Sequence, residues 1–299
     1  MKAAPGDEPL PPAYPDHLRR LVEAYLDRLD FGAAGFVGRL AEAMRYSLMA
    51  GGKRIRPVLA LAVAEGRGRP PRDVLPTAAA LELIHTYSLI HDDLPAIDND
   101  DLRRGRPTCH VVFGEDIAIL AGDGLFAEAF ALVLERQEGP PAAVLAALSE
   151  IARATGLRGM VGGQYIDVTS SAGDEVDLRR LHLLKTGRLI EAAVVCGALL
   201  TGAADAELAP YRGYAEEAGL LFQIVDDILD VSAGSEQIGK TAGKDAQANK
   251  LTYVSRYGLA AARRLAGETH ARALARLAAL PGQYVSLQAV TDYIFLRDR

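Results

Sequence analysis

Leu81-Glu82-Leu83-Ile84-His85-Thr86-Tyr87-Ser88-Leu89-Ile90 runs straight into His91-Asp92-Asp93-Leu94-Pro95-Ala96-Ile97-Asp98-Asn99-Asp100-Asp101-Leu102-Arg103-Arg104-Gly105. The first part is an apolar, helix-like run. The second packs Asp92, Asp93, Asp98, Asp100 and Asp101 ahead of two arginines. Carboxylates gathered in or near an interior repel one another, so such a cluster calls for cations. Aspartate at a helix C-terminus also opposes the helix dipole, which favours a functional reason over a plain acidic helix end. Asp92 and Asp98 are six residues apart, a spacing that an ideal helix puts on different faces. Pro95 resolves this, because proline forces a bend or bulge.

A second acidic stretch lies far downstream, Asp226-Asp227-Ile228-Leu229-Asp230. Asp226 and Asp230 share a helix face, and Gln223, Asp227 and Asp230 follow one another at steps of four and three. Tyr214, Ala218, Leu221, Val225 and Ile228 form a separate apolar stripe. This helix packs along one stripe and offers oxygen ligands on another. Alone, the second stretch reads as a solvated acidic face. Together, the two stretches suggest a cation site shared between helices. Carboxylate oxygens suit hard cations, and Mg²⁺ in particular binds few carboxylates together with substrate phosphates.

Working outward, helical periodicity is expected from Asp16 to about Leu29, and over 36–49, 57–64 and 73–93. It continues over 116–136, 141–169, 177–202 and 206–231, with shorter helices at about 251–265, 268–279 and 285–297. No β-strand alternation is visible, so the class is all-α. The apolar runs are long enough that many helices must bury more than one face. Residues 1–15 hold five of the fifteen prolines and are expected to be disordered. Residues 16–299 show no internal linker and are expected to form a single helical domain.

The chain has 299 residues, 49% of them hydrophobic and 24% charged, the balance of a globular protein. A net charge of -6 argues against general nucleic-acid binding. It leaves room for an anionic substrate held by local cations. Cys109 and Cys196 are too few for a disulfide framework and lack metal-site spacing. With no secretory pattern and no uninterrupted apolar stretch long enough to span a bilayer, the expected compartment is the cytosol.

Basic residues supply the other half of the chemistry. Lys53 and Arg56 follow the Gly51-Gly52 turn, and Arg103-Arg104 follow the first acidic cluster. Arginine forks onto phosphate oxygens and lysine binds them as a compact charge. His85 lies seven residues before Asp92, on the same face and about 10 Å away along the helix. Lys185-Thr186-Gly187, Lys240, Lys244 and Lys250 are further candidates. These parts suggest a diphosphate held through Mg²⁺ between the acidic clusters, and a second anion held directly by Lys, Arg and His. That arrangement fits departure of a diphosphate leaving group, with an apolar cavity to shield the carbocation left behind.

From about Tyr25 to Arg297 the chain resembles the trans-prenyl diphosphate synthases. The matching stretches, in the family's order, are Gly51 to Pro57, His85 to Gly105, Gly162-Gly163-Gln164, Lys185-Thr186-Gly187, Gln223 to Asp230, and Gly239-Lys240 to Lys250. The resemblance implies an all-helical fold of antiparallel helices around a deep central cavity, and a homodimer. It implies Mg²⁺ ligands at Asp92, Asp98 and Asp226, with Asp93, Asp227 and Asp230 in the same catalytic clusters. It places an allylic diphosphate (dimethylallyl or geranyl) near Arg103, Lys185, Thr186, Gln223, Lys240 and Lys250, with Lys185 and Lys240 also catalytic. It places isopentenyl diphosphate near Lys53, Arg56, His85 and Arg104. The implied reaction is ionisation, attack by the alkene, then proton loss, with no protein base nominated.

In this family, bulk just upstream of the first Asp floors the pocket for the growing chain. Here those positions are Tyr87 and Ser88. An aromatic at the first, with the four residues between Asp93 and Asp98, is similar to the bacterial farnesyl diphosphate synthases. A geranylgeranyl diphosphate synthase is the runner-up. A non-catalytic subunit of a heteromeric synthase would be expected to have lost one acidic motif, and both are present.

Overall fold

A computed structural model describes residues 14–32, 35–170, 177–232 and 251–297. The helices are α1 (Asp16–Asp27), α2 (Gly38–Leu48), α3 (Ile55–Gly66), α4 (Leu75–Asp92), α5 (Cys109–Phe113), α6 (Glu115–Arg136) and α7 (Pro141–Thr155). They continue as α8 (Met160–Thr169), α9 (Leu178–His182), α10 (Arg188–Leu200), α11 (Leu208–Ser232), α12 (Tyr253–Tyr257), α13 (Leu259–Ala278) and α14 (Val285–Leu296). Lys240, Lys244 and Lys250 lie outside the described residues, as does most of the proline-rich start.

The most apolar helices are innermost. In α3 every residue from Ile55 to Ala64 is buried, and in α10 every residue from Leu189 to Leu199. A helix apolar all round has no face to give to water and must be surrounded. α3 packs against α1, α4, α10 and α14, while α10 packs against α3, α7 and α11. Their close approach depends on Gly197, where a Cβ would stand 2.6 Å from the Ala60 carbonyl oxygen.

Several expectations need correcting. The stretch 141–169 is two helices, broken at Gly156–Gly159. The expected break between 265 and 268 is absent, because the chain turns at Gly258 (φ 81°) and then stays helical to Ala278. A two-residue antiparallel ladder exists, β1 (Leu102–Arg103) on β2 (Arg106–Pro107). Arg104 and Gly105 both sit at positive φ, as in the tight turn that suits a hairpin, so alternation was never needed. Tyr14 and Pro15 are ordered instead of disordered: the Tyr14 ring packs edge-on against Tyr293, and its hydroxyl donates to the Lys53 carbonyl oxygen at 2.6 Å. By length and mean composition α6 is apolar enough to cross a membrane, although Asp123 and Glu128 interrupt its apolar run, as the sequence led one to expect. In the fold it lies against α4 and α2, with Ile119, Leu120 and Leu134 exposed.

A buried ion pair ties α3 to α4. Arg54 takes a left-handed backbone (φ 53°) after Gly51-Gly52 and turns its guanidinium inward. It donates to Glu82 of α4 at 2.8 Å and to the Leu48 carbonyl oxygen at 2.8 Å. Both side chains are about 1% exposed. Removing one partner strands the other's charge, so Glu82→Ala should lower the unfolding free energy by about 3–5 kcal/mol in urea titrations; a loss below about 1 kcal/mol would show the pair to be dispensable.

Candidate active site

One cavity of about 980 Å³ collects most of the residues the sequence singled out. Its wall includes Asp92, Asp98, Asp226 and Asp227, together with Arg56, His85, Tyr87, Ser88, Arg103, Arg104, Lys185, Thr186 and Gln223. Asp93 and Asp230 are buried behind it, and Lys53 stands outside.

The six-residue spacing is resolved by the turn after α4. The chain doubles back at Pro95, and Asp98 N–H donates to the Asp92 carbonyl oxygen at 2.9 Å. Asn99 takes the left-handed conformation (φ 50°), and Asp100 N–H reaches the Asp93 carbonyl oxygen at 3.1 Å. Asp92 and Asp98 thus come to one side of the cavity. Asp93 points the other way and is held bidentately by Arg103, with Nε at 2.8 and 3.0 Å from its two oxygens. Burial pushes Asp93 up to about 6 against the pull of Arg103, so it is still ionised at neutral pH. Arg103 lines the cavity, but its fork is engaged with Asp93 and its Nη2 lies 3.6 Å from Asp100. Of the first cluster, Asp93 and Asp100 therefore hold the arginine, and Asp92, Asp98 and Asp100 line the cavity.

On the opposite wall, α11 presents Asp226 and Asp227. Asp227 is fixed from both sides: Gln223 Nε2 donates to one oxygen at 2.8 Å and Tyr253 N–H to the other at 2.7 Å. Thr186 Oγ1 donates to Gln223 at 2.9 Å, which fixes the amide orientation. Asp226 is about half exposed, with Arg297 Nη2 at 3.6 Å. No three His, Cys, Asp or Glu side chains among the described residues already form a metal cage. The all-oxygen donor set of Asp92, Asp98 and Asp226 is of the kind that suits Mg²⁺, which keeps its waters and binds few carboxylates along with substrate phosphates.

The basic residues divide. Arg56 is buried with its guanidinium carbon 5.8 Å from the Phe222 ring centre, and burial lowers it to about 10. Arg104 donates to the Gly51 carbonyl oxygen and lies flat on Gly52, where a Cβ would come within 2.7 Å of it. His85 is held neutral by burial and by the surrounding Arg56, Arg104, Arg103 and Arg54. Lys53 is exposed, with Nζ 5.3 Å from the Tyr293 ring centre and 6.0 Å from that of Tyr14. A lysine at the surface end of a Gly-Gly turn is drawn to these rings by cation–π attraction, which periodicity could not reveal.

Lys185 sits where the expected helix 177–202 is interrupted. Residues Leu183–Gly187 form a wider, π-type turn, a feature often found at functional sites. Its Nζ donates to Asp167 of α8 at 2.6 Å. Asp167, Gln164 and His182 line the cavity too, and sequence reasoning missed them as site residues. The signal was present for two: Gly162-Gly163-Gln164 was noted without Asp167 three residues on. Both polar atoms of the Gln164 side chain are buried without a hydrogen-bond partner among the described residues.

The polyprenyl synthetase pattern matches residues 37–277. The chain belongs to the polyprenyl synthetase family. It is a trans-prenyltransferase. It is 52% identical over 226 residues, 74% of this chain and 65% of the relative, to geranylgeranyl pyrophosphate synthase 7 of Arabidopsis thaliana. A putative farnesyl-diphosphate synthase from Marinomonas sp. MED121 superposes with a TM-score of 0.78 at 38% identity, covering 94% of this chain and 97% of that one. The geranyltransferase of Helicobacter pylori, solved with magnesium and isoprenyl diphosphate, gives 0.82 at 31% identity, covering 93% and 94%.

In this polyprenyl synthetase the seating of Lys185 requires Gly163, whose Cβ would fall 2.2 Å from Lys185 N. Gly163→Ala should push the π turn away and reduce turnover about a hundredfold, as misplacement by an ångström does. Gly267→Ala, with nothing within 4 Å of the new methyl, should leave turnover unchanged. Equal turnover of the two variants would refute this role of Gly163.

Proposed function

We propose that this enzyme condenses isopentenyl diphosphate with dimethylallyl and then geranyl diphosphate, and releases farnesyl diphosphate. The observation that carries the product length is the aromatic stack at the apolar end of the cavity. Tyr87 lines that end, and its ring packs edge-on against Phe126 of α6 at 5.0 Å. Phe126 packs in turn against Phe130 at 5.2 Å. Burial raises the Tyr87 hydroxyl to about 12, so it remains a neutral phenol. A growing chain that reaches Tyr87 meets a ring braced from behind.

The allylic diphosphate is assigned to the space between Asp92, Asp98 and Asp226, near Lys185, Thr186 and Gln223. Mg²⁺ held by those carboxylates would neutralise charge on the leaving diphosphate. The chain's own residues do the rest. Lys185 supplies a fixed ammonium, oriented by Asp167. Arg56 and Arg104, with neutral His85, form the pocket for isopentenyl diphosphate; Lys53 joins them only if its side chain leaves the Tyr14 and Tyr293 rings. The allylic C1–O bond breaks, the isopentenyl double bond attacks C1, and a proton passes from the isopentenyl C2 to the departing diphosphate, which leaves with it. The wall of Tyr87, Ser88, Val161 and Phe222 keeps water from the cation.

The exposed side chains Ile119, Leu120 and Leu134 on α6, continued by Val111 and Val112 on α5, support a homodimer through this face. A second copy covering them accounts for the apolar composition of α6 without a membrane.

A geranylgeranyl product is the second reading, favoured by the name of the Arabidopsis relative. Mass analysis of products made with Mg²⁺, isopentenyl diphosphate and each allylic starter separates the two. Farnesyl diphosphate should accumulate and be extended little when offered as starter; efficient conversion to geranylgeranyl diphosphate would overturn the length assignment. Tyr87→Ala should lengthen the product, and Tyr87→Ala with Phe126→Ala should lengthen it further. An unchanged product spectrum in both would place the floor elsewhere.

A further inference from the structure

His182 closes α9, three residues before Lys185. It is 8% exposed and lines the cavity. Neither ring nitrogen has a hydrogen-bond partner among the described residues. The ring is not loosely placed: it stacks on Tyr253, with centroids 5.3 Å apart and planes 28° from parallel. Tyr253 is the residue whose backbone N–H holds Asp227. Its charged neighbours are Asp167, Lys185 and Asp226, which belong to the polar end of the cavity.

Burial lowers the histidine to about 4, so at neutral pH it is an uncharged imidazole with one donor and one acceptor nitrogen. Buried donors and acceptors are almost always satisfied, and exceptions mark a water, an ion or a ligand. A structural stacking role would account for the ring but not for its two nitrogens, since a phenyl ring stacks equally well. The oxygen-rich occupant proposed for this end of the cavity is the allylic diphosphate with its attached waters.

We propose that His182 is a substrate-binding residue for the allylic diphosphate, donating its ring N–H to a diphosphate oxygen or to a water held on one. This rests on the assignment of the allylic diphosphate to the space between the two acidic clusters. The ring plane is set by Tyr253, so the same segment that fixes Asp227 also aims His182. The residue supplies directional binding without adding charge beside Lys185. It takes no proton from the substrate.

The test compares His182→Phe, which keeps the stacked ring and loses both nitrogens, with His182→Asn, which restores a polar donor. His182→Phe should raise KM for the allylic diphosphate about ten- to hundredfold, the range of one hydrogen bond to a charged group. KM for isopentenyl diphosphate should move by less than about twofold, because that substrate sits elsewhere. His182→Asn should recover most of the loss. Nitrogen NMR of the wild-type histidines gives an independent readout that needs no variant to fold. Adding Mg²⁺ and a non-ionising thiolodiphosphate analogue of the allylic substrate should shift one buried neutral imidazole. Unchanged allylic KM in His182→Phe, an equal loss for both substrates, or an unshifted imidazole would overturn the proposal. A wild-type protein that does not bind the analogue at all would instead overturn the placement of the diphosphate.

Discussion

Mutual repulsion of carboxylates is the constraint on which this structure turns. Asp92, Asp98, Asp226 and Asp227 share the wall of one cavity, with Asp93 and Asp230 buried close behind. Like charges so placed lower the stability of any apo fold unless cations or hydrogen-bond donors oppose them. Two of these carboxylates have such opponents. Arg103 holds Asp93, and Gln223 with Tyr253 N–H holds Asp227. Asp92, Asp98 and Asp226 line the cavity from two different walls.

The scaffold meets this demand with rigid apolar helices. α3 and α10 are buried over almost their entire lengths, so α4 and α11 have fixed partners on which to rest. Arg54 and Glu82 tie the start of α3 to α4. Backbone irregularities occur where side chains must be aimed: the left-handed Arg54, Asn99 and Arg104, and the π turn under Lys185. Such features cost free energy locally and persist where the surrounding packing over-determines them.

Much of this was legible in the residues. The long apolar periodicity of α4, α10 and α11 marked an all-helical chain, and Asp226 with Asp230 marked a helix face. Pro95 pointed to the turn that brings Asp98 back beside Asp92. Other features were not legible, because they depend on contacts distant in sequence. Nothing near Arg103 says that its fork is engaged with Asp93, ten residues earlier. Lys53 reads as a phosphate ligand until Tyr14 and Tyr293 are seen to flank it. The π turn has no periodicity of its own, and His182 looks like any helical histidine until its buried nitrogens are found without partners among the described residues. Tyr87 was identifiable from its position before Asp92, but its bracing by Phe126 required the packing of α4 on α6.

The central claim is that the two acidic clusters jointly hold one diphosphate. Calorimetric titration with a non-ionising thiolodiphosphate analogue of dimethylallyl diphosphate tests it most directly, on the wild type and on Asp92→Asn and Asp226→Asn. A shared site requires that binding depend on Mg²⁺ and weaken sharply in both variants, each being on a different helix. Tight binding without Mg²⁺, or full affinity in either variant, would contradict a diphosphate bridged between α4 and α11.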